Sequence, residues 1–217
     1  MTSNDNIIAL EERRAEGARR YSPSAGRNRA AIIEAWGDLL PTTAHVLEVG
    51  SGTGEHAAAL CGAYPGLTWQ PSDPDAASRA SQDAWARDVP GERVRASLDL
   101  DAAAPGWTMR VGETPHVLFS ANVIHIAPFA VCEGLFAGAG ALLPEGGRVA
   151  LYGPFSRRGV MADSNAAFSD SLRARDPAWG VRDLDDAVQP LAARFGFALA
   201  AVRAMPANNA FVLFERN

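Results

Sequence analysis

The chain has 217 residues, 47% of them hydrophobic and 21% charged, which is the balance of a globular chain with one substantial core and no need of disulfides or a structural metal. All 20 basic residues are arginine and stand against 25 acids, a formal charge of −5, so nucleic acid is not expected as the main partner. Cys61 and Cys132 are too far apart for a disulfide scaffold or zinc ribbon, no apolar run reaches the ~18 residues of a membrane span, and no signal peptide is read. A single cytoplasmic domain without metal is expected.

In chain order, residues 1–30 form a polar N-terminal segment in which Glu11, Glu12 and Glu16 interrupt a run of arginines, the pattern of a solvated helix face. Residues 27–40 read as an amphipathic helix with Ile32, Ile33, Trp36, Leu39 and Leu40 on its stripe, closed by Pro41. Short apolar strands follow at 45–49, 67–71 and 94–99, separated by helices at 55–64 and 75–87. Residues 102–113 read as a connection around Trp107, 115–120 as the most apolar strand, 131–143 as a helix and 148–152 as a strand. A long connection, 156–180, leads to a helix at 183–195 and two last β-rich segments, 197–205 and 210–215. The short turn between those two makes them an antiparallel hairpin. Strands alternating with helices in this way predict an α/β fold: a doubly wound, mostly parallel seven-stranded sheet with a C-terminal antiparallel hairpin strand and helices on both faces.

Glu48-Val-Gly-Ser-Gly-Thr-Gly54 stands between the first of the apolar strands and its helix, where an open α/β sheet seats its ligand. Glycine permits positive φ and close approach to the backbone, and the following helix offers unpaired N–H groups. A dinucleotide fingerprint would place a third glycine where Glu55 stands, and Glu48 and Glu55 would repel a pyrophosphate. A P-loop needs a lysine, and the chain has none. Acids and glycines together suit a cationic or neutral, hydroxyl-rich ligand.

The segment resembles the first motif of the class I S-adenosylmethionine (SAM)-dependent methyltransferases, an acid followed by G-x-G-x-G. Arg19-Arg-Tyr-Ser-Pro23, Arg27-Asn-Arg29, Tyr152-Gly-Pro-Phe155, Ser164-Asn-Ala-Ala-Phe168, Arg175-Asp-Pro-Ala-Trp-Gly180 and Met205-Pro-Ala-Asn-Asn209 are similar to the signature of one small, mostly uncharacterised methyltransferase-like family within them. The resemblance implies a Rossmann-like fold, SAM as cofactor and S-adenosylhomocysteine (SAH) as product. It implies a cofactor site of Glu48, Gly50, Ser51, Gly52, Gly54, Asp73, Asp99, Leu100 and Asn122, with Asp73 on the ribose and Asp99 near the adenine amine. Two other readings stay open on the residues alone: Asp73 as a helix cap and Asp99 as a solvated strand end.

Tyr21, Arg27 and Asn28 are further cofactor candidates, on a segment expected to fold over the site as a lid. His125 and Tyr152 are the catalytic candidates, His125 for its titration near neutrality, although a lone histidine between two isoleucines is more often structural. Phe155, Asn165, Arg175, Trp179 and Asn208 are candidate acceptor contacts, and the length of 156–180 suggests a cover over the acceptor site. The place of an Asn/Asp-Pro-Pro-aromatic tetrad reads Ser120-Ala-Asn-Val123, and Cys132 falls mid-helix. Base-amine and cytosine-C5 acceptors are therefore discounted. A small-molecule acceptor is expected, with a protein acceptor as a second choice. The alternative function is a catalytically silent SAM- or SAH-binding protein acting through a protein partner.

Overall fold

A computed structural model describes residues 13–217. The chain enters through a two-stranded hairpin, β1 (Arg14–Glu16) and β2 (Arg19–Tyr21), where the arginine run predicts a helix face. Gly17 turns the hairpin at φ 60°. Arg19 then reaches the helix that ends at residue 86, donating to the Ala84 carbonyl at 3.0 Å and lying over the Trp85 ring. A sharp turn and these anchors outweigh the helical charge pattern. The expected lid extends into residues 1–12, which lie outside the described residues.

Helix α1 (Pro23–Leu39) starts earlier than the apolar stripe because Ser22 caps it, accepting from the Ala25 N–H at 3.4 Å, with Pro23 in the first position. There follow β3 (Thr43–Val49), α2 (Glu55–Ala63), β4 (Gly66–Ser72), α3 (Ala76–Ala86), β5 (Val117–Ala121), α4 (Phe129–Leu142), β6 (Arg148–Ser156), α5 (Asp163–Arg175), β7 (Arg182–Asp183), α6 (Gln189–Arg194), β8 (Phe197–Met205) and β9 (Asn209–Arg216). The seven-stranded sheet runs in the order β4-β3-β5-β6-β9-β8, with β7 paired to β6. Strands β3 to β6 are mutually parallel, and β9 runs antiparallel to both β6 and β8. The doubly wound sheet and its reversed C-terminal strand are as the sequence predicts.

Successive side chains of a strand point to opposite faces, so a sheet covered on both sides needs near-continuous apolar strands. Val46, Val117, Phe119 and Leu213 face one core with Ile32 and Trp36 of α1 and Leu60 of α2. Leu47, Leu118 and Val212 face the other, with Leu135 and Phe136 of α4 and Leu191 of α6.

Three elements differ from expectation. Residues 94–99 form backbone bridges to β4 only at Trp69↔Val94 and Ser72↔Leu98, and the short β7 completes the seven. The reason lies in β4: the next donor toward that edge would be residue 71, which is proline, and the Gln70 side chain takes the Ala96 carbonyl instead. The connection 156–180 contains α5. The expected helix 183–195 divides into a wide turn, Leu184–Val188, and α6, because Asp183 accepts from the N–H groups of both Asp185 and Asp186 and Pro190 stands in the first turn of α6.

Candidate functional site

The C-terminal ends of β3, β4, β5 and β6 open into one cleft of about 860 Å³, inside the range of sites that hold drug-sized ligands. Its first wall is the turn after β3. Gly50, Gly52 and Gly54 hold φ of 72°, 55° and 90°, a region that strains any residue with a Cβ. A methyl at Gly50 would meet the Val123 side chain at 2.4 Å, and one at Gly54 would meet the Gln82 backbone at 2.7 Å. The glycines therefore serve both conformation and packing.

Asp73, just past β4, closes the turn. Its Oδ2 accepts from the Gly52 N–H at 3.0 Å and its Oδ1 from the Asp75 N–H at 3.0 Å. Burial pushes its carboxyl up to about 6, against the pull of those two backbone donors. Helix α3 is capped by Asp75, not Asp73: the Asp75 carboxylate accepts from the Ser78 N–H at 2.8 Å. Asp73 thus keeps acceptor capacity on each oxygen.

Gly50, Ser51, Gly52, Asp73, Leu100 and Asn122 line the cleft, and so do Arg27, Asn28, Tyr152, Asn165 and Arg175. Asn122 adopts φ 64° at the end of β5 and donates its N–H to the Tyr152 carbonyl at 2.7 Å, which joins the β5 and β6 ends of the wall.

The other candidates lie outside the lining. Glu48 is buried beneath the turn, where its Oε2 accepts from Trp69 Nε1 at 2.9 Å, and burial raises its carboxyl to about 7. Period two sends its side chain into the sheet core with Val46, not up to the turn. Gly54 caps α2 against Gln82. Asp99 is exposed and pairs with Arg79 at 3.2 Å, while Leu100, Asp101 and Ala102 face the cleft. Tyr21 donates to Glu16 and packs on Trp85.

His125 is fully buried and rests edge-on against Phe155, whose own ring is thereby taken into the core. Its Nδ1 accepts the Arg182 N–H at 3.2 Å and its carbonyl the Gly180 N–H at 2.9 Å. Burial and the nearby Arg182 guanidinium push it down to about 3, so it is neutral. Arg182 itself donates to the carbonyls of Ile124 and Ala127 at 2.9 and 2.7 Å. Together they hold 123–127 against the cleft from behind. Trp179 is half-buried on the loop before Gly180, and the exposed Asn208 faces α5 rather than the cleft, its carbonyl accepting from Asn165 Nδ2 at 2.9 Å.

The sequence reading missed His56, which follows Glu55 on α2 and lines the cleft. Its Nε2 meets Asn28 Oδ1 at 2.8 Å and its Nδ1 lies 3.9 Å from Glu48 Oε1. Burial pushes it down to about 4. Its place one residue into the helix after the glycine turn is a usable signal. Arg13 also lines the cleft, as do Phe168, Pro206 and Asn209 of the motifs Ser164–Phe168 and Met205–Asn209, which the resemblance singles out without giving these residues a role in the site.

The model of the family described as "Protein of unknown function (DUF938)" matches residues 19–216. The chain belongs to this family. Among solved structures, an O-methyltransferase family protein from Burkholderia thailandensis superposes with TM-score 0.75 and 16% identity over 89% of this chain and 57% of its own. CalO1, a methyltransferase in calicheamicin biosynthesis in its SAH-bound form, matches with TM-score 0.73 and 18% identity over 89% of this chain and 54% of its own. Human N-acetylserotonin methyltransferase in complex with SAM matches with TM-score 0.69 and 16% identity over 89% of this chain and 53% of its own. This DUF938 member therefore has the fold of SAM-dependent methyltransferases, and it spans a little over half the length of those structures.

Proposed function

We propose that the protein binds SAM and transfers its methyl group to a small molecule. The observation that carries the reading is the Asp73–Gly52 contact at the floor of an open cleft: a carboxylate with spare acceptor capacity beside a glycine turn that no Cβ crowds. The residues present fit the cofactor. Asp73 suits a ribose diol, the turn of Gly50 to Gly52 admits close backbone approach, and Leu100, Val123, Ile126 and Val131 offer an apolar wall for a purine. The SAM and SAH in the human and CalO1 structures lie in proteins of the same fold.

When bound, SAM supplies an electrophilic methyl group and a neutral thioether leaving group. The chain's own part is positioning: Asn122 and Tyr152, joined through backbone, border the place where donor and acceptor meet. His125 lies behind that wall and acts by holding 123–127 in place, so no imidazole base is assigned to the transfer. The size of the cleft beyond the glycine turn supports transfer over the silent-binder alternative, since it leaves room for a second ligand. Among the described residues no helix is long and apolar enough to cross a membrane.

A thermal-shift series tests the reading. SAM and SAH raise the melting temperature of the wild type and NAD does not, by mass action on the folded state. Asp73→Ala removes the SAM shift. A shift with NAD alone, or one that Asp73→Ala retains, overturns the assignment.

A further inference from the structure

Two side chains of α2 tie the start of α1 to the glycine turn. Glu55, standing where a dinucleotide fold has its third glycine, is buried, and its Oε2 accepts from the Ser22 N–H at 2.6 Å and from the Thr53 hydroxyl at 2.9 Å. Further along α1, Asn28 meets His56, the next residue of α2: His56 Nε2 lies 2.8 Å from Asn28 Oδ1. The His56 ring stands edge-on to Phe119 of β5, with centroids 6.3 Å apart at 84°, and this packing fixes its orientation. Asn28, His56 and Tyr152 of β6 all line the cleft, so three elements each bring one side chain to the same place.

The direction of each hydrogen in this relay follows. Burial keeps His56 neutral, pushing it down to about 4, and a neutral imidazole carries one N–H. Its Nδ1 is 3.9 Å from Glu48 Oε1, beyond hydrogen-bond reach, whereas Nε2 faces an amide oxygen. The hydrogen therefore sits on Nε2 and is donated to Asn28. With its oxygen held by His56, Asn28 turns its NH₂ to the Tyr152 oxygen, and its hydrogen bond there favours the ionised phenol, as a donor's does. Arg27 acts on the same phenol by its charge, and a guanidinium accepts no hydrogen. Burial outweighs both and holds Tyr152 above its ordinary value, so it is a phenol and not a base at neutral pH. Neither neighbour takes its hydrogen.

We propose that the Tyr152 hydroxyl is a hydrogen-bond donor to the methyl acceptor, selecting molecules that present an oxygen or nitrogen lone pair beside an apolar body, and that His56 is the positioning residue that holds it so through the Asn28 amide. The proposal rests on the methyl-transfer reading and names what that site recognises. A hydroxyl that meets no acceptor in a closed site costs free energy, so a molecule without such a lone pair binds less well. Pro154, Phe168 and Pro206 also line the cleft and offer apolar surface to the rest of the molecule. Without His56 the Asn28 amide is free to turn its oxygen toward the phenol, which then spends its hydrogen on Asn28.

The test uses NMR of the SAH-loaded chain, isotope-labelled at tyrosine Cζ, the Tyr152 resonance being the one that Tyr152→Phe lacks. Acetophenone is expected to move that resonance and to bind about tenfold or more tightly than α-methylstyrene, which has the same shape with a methylene group in place of the carbonyl oxygen. Tyr152→Phe removes the preference. His56→Leu and the isosteric Asn28→Asp, checked for cooperative melting, each reduce it by about fivefold or more. In Asn28→Asp the resonance also stands displaced before any probe is added, because the phenol then donates to the carboxylate; this variant decides alone if His56→Leu does not melt cooperatively. No response to acetophenone at ~10 mM overturns the proposal, as does equal binding of the two probes or a preference that either folded variant keeps. A loss of SAH affinity of about tenfold in Tyr152→Phe assigns the hydroxyl to the donor and overturns the proposal with the donor reading intact. Wild-type chain that fails to load with SAH sinks both together.

Discussion

The two ends of the cleft are built by opposite means. The β3–β4 end is mostly backbone: glycines at positive φ, N–H groups and the Asp73 carboxylate fall within the 26 residues from Glu48 to Asp73, joined by Leu100 and Asp101 from the edge after β4. The β6–α5 end is made of side chains from β6, α5 and the β8–β9 turn, which meet only in the folded chain. The first end tolerates little change because its conformation is its function. The second end can change side chains without disturbing the sheet.

Substitutions at the two ends should therefore differ in kind. The largest effect is expected for Gly54→Ala. Its φ of 90° and the 2.7 Å approach to the Gln82 backbone combine backbone strain with overpacking, for a loss of about 3 kcal/mol. In a chain of this size that is a drop in Tm of roughly 6–12 °C. Calorimetric melting checks it, and an unchanged Tm would show that the turn adapts.

Glu48 provides the next largest effect. Its folded carboxyl titrates near 7 against an ordinary 4.5, so the folded state holds the proton more tightly than the unfolded state does. Its contribution to stability falls as pH rises from about 4.5 to about 7 and stays low above that. Glu48→Gln removes this fall. Relative to wild type the variant should gain about 2–3 kcal/mol between pH 4.5 and pH 8, measured by urea unfolding at each pH. His56, lowered from 6.5 to about 4, has the opposite slope between those values, so the comparison must be variant against wild type. A difference that does not change with pH would place the Glu48 carboxyl in contact with water.

Asp73 carries a smaller, ligand-linked effect. Its ionised form is the better acceptor for a diol, and burial raises it to about 6. SAH affinity should fall by about tenfold between pH 7 and pH 5, and Asp73→Asn should flatten that profile. The smallest effect belongs to the side-chain end. Asn165→Ala loses the bond to the Asn208 carbonyl, about 1 kcal/mol, a shift of about 2–4 °C. A loss as large as that of Gly54→Ala would erase the contrast between the ends.

The same contrast explains what could be read from the sequence. Gly50, Gly52 and Asp73 are legible because a glycine turn between strand and helix is a local pattern with one physical meaning. Glu48 and Asp99 were named from that neighbourhood, but the alternation of β3 buries one, and the edge after β4 leaves the other in solvent while Leu100 and Asp101 face the cleft. The strand at 94–99 looked regular because its own residues are; Pro71, on the neighbouring strand, decides otherwise. Helix α5 was hidden because Asn165 and Ser169 are buried beside Leu172, so its inner face is partly polar and its apolar stripe is thin. His125 could be named but not placed: only the fold shows Arg182 and Phe155 closing around it.

Isothermal titration of SAM and of SAH into the wild type and Asp73→Ala at pH 7.5 tests most directly whether the glycine turn and its carboxylate seat the adenosyl methyl donor and its product. One saturating site in the wild type, lost in a variant that still melts cooperatively, is the expected result. Absence of heat with SAH and SAM together with saturable binding of NAD or ATP would contradict it.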